Sequence, residues 1–383
     1  MAGARGGFRL GVGISTIKPV QNDRVAYRLV FLAFAGVALL TGLAAGASLL
    51  GVLSVAAPVA DLHGPLMVFG FVGGAIGLER AVAVRRAWAW AGPAAHVAGV
   101  VALLVPAAAG ADLPALVPGA LFAASFGVLG AIYVAIYRRQ QTVSVVVQAA
   151  GVVAAVMAAL LWGMTGRFET MLPLAVAYVV ATIIGERMEL ARLSVAGTRA
   201  EVQLTWQVLA MVLAAVVHAV APRLGHVLVA LALIVVAATA LRVDVAVNLV
   251  RSRDLPRYSA ACMLGGYFWL VLTGFTWLAY GPGAEGYAYD AVVHAVFLGF
   301  VMSMIFAHAP IILTAVVHRR LPYRRVLYVP VVLLHGGLAT RLAGDFLAQD
   351  AIYTAGGVIT LVAVLVFVGT GLVLTLRGGG RAD

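Results

Sequence analysis

Cysteine is almost missing from this chain: Cys262 is the only one in 383 residues. One thiol excludes an intrachain disulfide, a Cys-x-x-Cys-His haem attachment and an iron–sulfur cluster held by this chain alone. Charge is scarce as well. Asp, Glu, Lys and Arg make up 11% of the residues, against roughly a quarter in average soluble chains. With 63% hydrophobic residues and a mean hydropathy of +1.04, a soluble domain is excluded. No P-loop, GxGxxG fingerprint or hydrolase elbow precedes a suitable helix, so nucleotide chemistry has no support.

What remains is apolar length. Twelve runs of spanning length centre near Leu39, Phe71, Val100, Leu129, Val153, Val179, Val212, Leu233, Leu270, Met302, Val332 and Leu365. Each needs about 20 residues to cross the hydrocarbon. A bilayer solvates no backbone amides, so uninterrupted runs of this length predict helices. The expected fold is an all-α, polytopic membrane bundle of about 12 transmembrane helices. No linker or composition shift divides it, which predicts one transmembrane domain over residues 1–383, with a cytoplasmic N-terminal segment at 1–28 and a cytoplasmic tail at 377–383. The first apolar run is long and lacks a small-residue cleavage site, so it reads as a span rather than a removed signal.

The net charge of +11 invites a nucleic-acid reading, which its distribution argues against. Basic residues precede the first span (Arg5, Arg9, Lys18, Arg24, Arg28) and follow the second and fourth (Arg85, Arg86, Arg138, Arg139). Arg187, Arg192 and Arg199 follow the sixth; Arg251, Arg253 and Arg257 the eighth; Arg319, Arg320, Arg324 and Arg325 the tenth. The opposite loops hold mainly Asp61, Asp112, Glu169, Glu285 and Asp290. Every second loop is basic, so the positive-inside rule puts both termini in the cytoplasm of a bacterial-type inner membrane. The basic surface suits lipid headgroups, and no nucleic-acid partner is expected.

An ionisable side chain inside a membrane is a functional-site hypothesis by default. His63 opens the second span, close to the outer surface, and His294 opens the tenth at the same depth. If their helices neighbour, the pair could bind both faces of one haem iron or share a metal; the bland reading is that each caps a helix or bonds a carbonyl. His308 follows His294 by 14 residues, which is about 40° short of four turns and ~21 Å along the axis, on the same side. That spacing would let one helix serve two stacked haems. His335, midway along the eleventh span, could approach His308 in a second metal site or a hydrogen-bonded pair. His218, near the outer end of the seventh span, is a further outer ligand candidate. His96 reads as a packing residue, and His226 and His318 as interfacial.

Met67 lies four residues after His63 and therefore on its face. A thioether can ligate haem iron or copper(I), or simply fill a gap. Gly70, Gly73, Gly74 and Gly77 make the second span smooth, for close helix packing or for a flat macrocycle. Arg341 and Asp345 stand at i and i+4 near the outer end of span eleven, which fits either a contact to haem propionates or an intrahelical ion pair. Gly77-Leu78-Glu79-Arg80 and Gly185-Glu186-Arg187 echo each other at the inner ends of spans two and six. Together with Glu189 and Arg192 they read as snorkelling ion pairs, with proton entry or anion binding as the functional alternative. Pro310 should kink span ten or open its hydrogen-bond ladder.

These residues resemble the NnrS family of polytopic haem- and copper-containing membrane proteins linked to nitric-oxide metabolism. His63 through Phe71 looks like its His-x-x-x-Met-x-Phe-Gly-Phe motif, and His294-Ala295, Gly299, Met304 and His318-Arg319 look like a later one. The family's glutamate beside the methionine is Leu66 here and its second early histidine is Pro65, so no metal role carries over to those positions. Twelve spans with histidines on the second and tenth also resemble the catalytic subunits of haem–copper oxidases and nitric-oxide reductases. Here, however, span ten has no His-x-His pair, span seven no His-His pair, and span six has Tyr178 but no histidine. The likeness therefore implies a haem site without the usual copper or non-haem-iron centre. The expectation is a protein binding one or two haem b groups, with copper a further candidate, acting on nitric oxide or a similar small gas with an external electron donor. A haem-dependent small-gas oxidoreductase and a haem-free proton-coupled transporter are the alternatives.

Overall fold

A computed structural model describes residues 22–191, 197–282, 285–317 and 321–377. Of the described residues 89% are helical, and none lies in a strand. The basic segment before residue 22, Arg192, the His318-Arg319-Arg320 run and the 378–383 tail lie outside them.

Twelve of the described helices are long and apolar enough to cross a membrane, so the protein is a multi-pass membrane protein. They are α1 (Arg28–Leu49), α2 (Ser54–Val84), α3 (Ala87–Ala109), α4 (Leu116–Arg139), α5 (Val143–Thr165) and α6 (Phe168–Leu190). The second half comprises α7 (Arg199–Val220), α8 (Pro222–Val243), α9 (Asp254–Tyr280), α10 (Gly286–Ile312), α11 (Arg325–Leu347) and α12 (Asp350–Arg377).

The helices do not share the interior equally. Of the spans, α2, α6 and α10 are the most enclosed, with 61%, 83% and 72% of their apolar windows buried. A helix hydrophobic all round is a core helix, whereas a lipid-facing one needs no protein cover. The enclosed helices recur every fourth span, so the bundle reads as three groups of four, each with its second helix at the centre. All three run in the same direction, from the face that carries His63 and His294 towards the one that carries Arg80, Arg138 and Arg187.

Two of these central helices are wound unusually. After His63, α2 passes into π-helix at Leu66–Gly73; after His294, α10 does the same at Ala295–Met302. Each run is eight residues long, whereas π-helix normally occurs as single-turn bulges, often at functional sites. Both contain a Gly-Phe-Val triplet, and in both the glycine carbonyl receives a side-chain donor. His96 Nε2 of α3 donates to Gly70 O at 2.8 Å, and Ser303 Oγ donates to Gly299 O at 2.6 Å. The ladder shift in α10 thus falls ahead of Pro310, which sits within the continuous α-helix Ser303–Val317.

Small residues set the spacing of the outer helices. A Cβ on Gly356 of α12 would meet the backbone nitrogen of Arg341 at 2.2 Å, so only glycine lets α12 lie this close to α11. Gly356→Ala is expected to destabilise the protein by about 1–3 kcal/mol through overpacking, read as a lower unfolding temperature in detergent or nanodiscs. Gly336→Ala, on the open side of α11 with nothing within 4 Å of its Cβ, should be neutral or slightly stabilising through helix propensity.

Candidate functional site

His63 is placed by α1. Its Nδ1 lies 2.7 Å from the carbonyl oxygen of Gly42. A carbonyl only accepts, so Nδ1 carries the proton, and in the neutral ring the Nε2 lone pair is left free. Gly42 and Gly46 form a Gly-x-x-x-Gly step that makes this approach possible. A Cβ on Gly46 would stand 2.9 Å from His63 Cε1, and one on Gly42 would stand 2.7 Å from Met67 Sδ. Such steps admit close helix contact; this one receives an imidazole and a thioether.

His294 is held by the same logic within α10. Its Nδ1 is 3.0 Å from the Asp290 carbonyl oxygen and 3.1 Å from Asp290 Oδ1, both acceptors, so its Nε2 is likewise left without a protein partner. Asp290 is gripped from α11: Arg341 Nε and Nη2 donate to its two carboxylate oxygens, each at 2.7 Å. Tyr353 of α12 completes the clamp, with the guanidinium 4.7 Å above its ring and Nη2 3.2 Å from its hydroxyl. A carboxylate behind the Nδ1–H of a histidine fixes the tautomer and orientation of metal-binding imidazoles.

The two rings meet. Their centroids are 6.3 Å apart and their planes 26° from parallel. Both line a cavity of about 570 Å³ between α1, α2, α10, α11 and α12, which Met67, Met302, Arg341, Tyr353 and, from the α5–α6 turn, Arg167 also line. The depth match expected of His63 and His294 is thus realised as proximity, with Met67 and Arg341 beside them. Arg341, however, turns across to Asp290 rather than along its own helix to Asp345, whose carboxylate oxygens are buried without a hydrogen-bond partner.

The remaining candidate histidines lie away from this cavity. His308 Nδ1 lies 2.7 Å from the Met304 carbonyl, and its Nε2 lies 3.2 Å from Arg187 Nη1. Arginine has no acceptor, so Nε2 must accept and its lone pair is occupied. Trp269 Nε1, a donor only, takes the lone pair of His335 Nδ1 at 2.7 Å. The structure thus gives His308 and His335 separate partners and leaves neither a free lone pair for a metal. His218 sits 6.5 Å from the Trp277 ring, away from the cavity, with its Nε2 buried and unpartnered. Among the described residues, no group of three or more His, Cys, Asp or Glu could hold a metal ion.

A second polar region lies at the opposite ends of the central helices. Arg80 of α2 reaches Glu186 at 3.0 Å and Glu189 at 3.4 Å on α6, so the two echoing motifs meet as an ion pair. Arg187 pairs with Asp244 at 2.7 Å, and Tyr267 donates to the same carboxylate at 2.7 Å. Burial works against the charged form of Asp244, but the hydrogen bonds and charge of Arg187 outweigh it and hold its carboxyl below the usual 3.8.

Sequence reasoning gave three residues no part in the site: Gly42, Gly46 and Asp290, the last read only as an outer-loop charge. The Gly-x-x-x-Gly spacing and a carboxylate four residues before His294 were the available signals.

Asp290→Asn leaves Arg341 buried and uncompensated, so it should lower unfolding stability by about 3–5 kcal/mol. Glu169→Gln removes the exposed Arg167–Glu169 contact at 3.8 Å and should cost less than about 1 kcal/mol. For Asp244 the folded value lies below the unfolded one, so its contribution is present above the unfolded value of 3.8 and lost as pH falls through the lowered one. Acid unfolding curves should show that loss in the wild type and a smaller one in Asp244→Asn.

Comparison with curated proteins finds no match. The family described as Domain of unknown function (DUF8744) matches residues 28–376, from the start of α1 to the last turn of α12, and the chain belongs to that family.

Proposed function

We propose that the protein binds haem b at the cavity between His63 and His294 and acts in the sensing, detoxification or redox chemistry of nitric oxide or a similar small gas. The observation that carries this reading is the pair of imidazoles, each with Nδ1–H spent on an oxygen and Nε2 unclaimed, flanking one cavity. The two ring centroids stand 6.3 Å apart beside the same cavity, so both residues could hold one group there. The donor set suits the group: two neutral imidazoles for an iron, glycines and apolar side chains for a flat macrocycle, and cations at the rim for carboxylates. Arg341 spends Nε and Nη2 on Asp290 and Tyr353, which leaves Nη1 to offer.

When bound, the haem would supply one-electron chemistry and affinity for small gases. The chain's own part is to orient. Gly42 aims His63, Asp290 aims His294, and Arg341 with Tyr353 holds Asp290 in place. Met67 offers a thioether in the same cavity, which fits copper(I) as a second candidate metal. Were both histidines to hold the iron, the pair would suit sensing or electron transfer better than turnover as an oxidoreductase. The likeness of His63–Phe71 to the NnrS motif points to nitric oxide. The reading places the protein in a bacterial-type cell membrane, among lipids, with any sustained turnover supplied by an external electron donor.

Purified protein is expected to carry a Soret band and iron near one haem per chain. His63→Ala and His294→Ala should each abolish or shift that band, while His308→Ala and His335→Ala leave it in place. Absence of the band, or a band indifferent to His63 and His294, would reject the reading.

A further inference from the structure

A line of buried polar atoms on α6 leads inward from the arginine-rich face. Tyr178, Thr182, Glu186 and Glu189 are spaced i, i+4, i+8 and i+11, which puts them on one helix face over about 16 Å of axis, half the hydrocarbon thickness. Exposure declines along the stripe: the Glu189 side chain is 47% exposed and that of Glu186 22%, whereas Thr182 and Tyr178 are at 0%.

The stripe faces polar groups on three other helices. Gln148 of α5 donates to Glu189 at 3.2 Å, and Arg80 of α2 pairs with both glutamates. Tyr133 of α4 lies under the Arg80 guanidinium, 5.8 Å from it, and the titratable neighbours of Tyr178 are Tyr133 and Glu186. Glu79, beside Arg80, adds a third carboxylate to this end.

Five side-chain atoms along this path are buried without a protein hydrogen-bond partner: Arg80 Nε, Gln148 Oε1, Tyr133 Oη, Thr182 Oγ1 and Tyr178 Oη. They come from four helices. A buried polar group left unpaired bears its full desolvation cost, and buried orphans of this kind are normally satisfied by ordered water. At its deep end the line stops at aromatic rings. Tyr178 packs on Phe126 at 5.1 Å, Phe126 on Phe69 at 6.1 Å, and Phe69 on Trp162 at 5.8 Å; Trp162 lines the histidine cavity.

We propose that this stripe is a hydrated half-channel that carries protons from the arginine-rich face, entering at Glu189 and Glu186, to Tyr178 behind the aromatic wall of the cavity. Each water or hydroxyl on the line releases one proton as it accepts another, and Tyr178 at the closed end exchanges its hydroxyl proton with the line, so protons pass in and out with no net charge left inside and no group consumed. The proposal goes beyond the haem reading and does not rest on it.

The test uses the full chain in nanodiscs. Radiolytic hydroxyl labelling reads bound water beside a buried ring. Tyr133 and Tyr178 should label several-fold above Phe300, equally buried in an apolar setting. Labelling no greater than that of Phe300 overturns the proposal. Proton access is read by infrared spectroscopy from the deuterium-exchange rate of the hydroxyl band that Tyr178→Phe removes. Glu186→Gln, which keeps the size but cannot ionise, should slow that exchange at least several-fold. Exchange at the same rate with and without the carboxylate, or no exchange in the wild type, also overturns it. Haem content, whatever it proves to be, decides neither measurement.

Discussion

Hydrocarbon offers no hydrogen bonds, so every polar group inside this bundle must find its partner within the protein or in water trapped there. That constraint makes the hydrogen bonds informative. A carbonyl facing an imidazole, an arginine facing an imidazole and an indole facing an imidazole each dictate a different proton position. His63 and His294 face acceptors and keep an unshared lone pair, while His308 and His335 face donors and do not. The interior therefore sorts these four histidines chemically, and of the four the two that keep a lone pair are the two that line the cavity.

The same constraint accounts for the π-helical runs. A π segment widens the helix and offsets its carbonyls, which is tolerable in a membrane only if the displaced groups are met by donors. In α2 His96 meets Gly70, and in α10 Ser303 meets Gly299. Both runs start within three residues of a cavity histidine. The unusual winding thus serves the part of each helix where the rings must be aimed; beyond it both helices return to ordinary α-helix, and α2 ends in the Arg80 ion pairs.

Much of this was legible in the residues, because span number, helix class and the shared depth of His63 and His294 depend on apolar length and position. The ring contact itself was conditional on α2 and α10 being neighbours, which no local pattern reveals. The partner of Arg341 was harder. Within the protein the expected partner was Asp345 one turn on, and the structure gives Asp290 instead, 51 residues away in the chain. The π runs escaped notice because a shift from i+4 to i+5 bonding leaves apolar composition unchanged. The echo of Gly77–Arg80 in Gly185–Arg187 was visible as repetition, but its meaning, that Arg80 seeks Glu186, needed the fold.

The two cavity histidines are clamped by different bodies, and this bears on chemistry. His63 is tied to α1 through Gly42, whereas His294 is tied through Asp290 and Arg341 to α11 and through Tyr353 to α12. Their separation is consequently set by how these helices pack, with glycines closing α1 on α2 and α12 on α11, and not by whatever lies between the rings. A site spaced by its scaffold reorganises little when its occupant gains or loses an electron. Releasing one ligand to admit a gas would, by contrast, require an imidazole to leave a 2.7 Å bond to a helix carbonyl or a carboxylate held by a buried arginine. On the haem reading, the packing therefore favours a centre that exchanges electrons or reports on its surroundings. If a gas displaces either ring, His294 is the easier to move, since it is held from its own helix at 3.0 Å while His63 is held across helices at 2.7 Å.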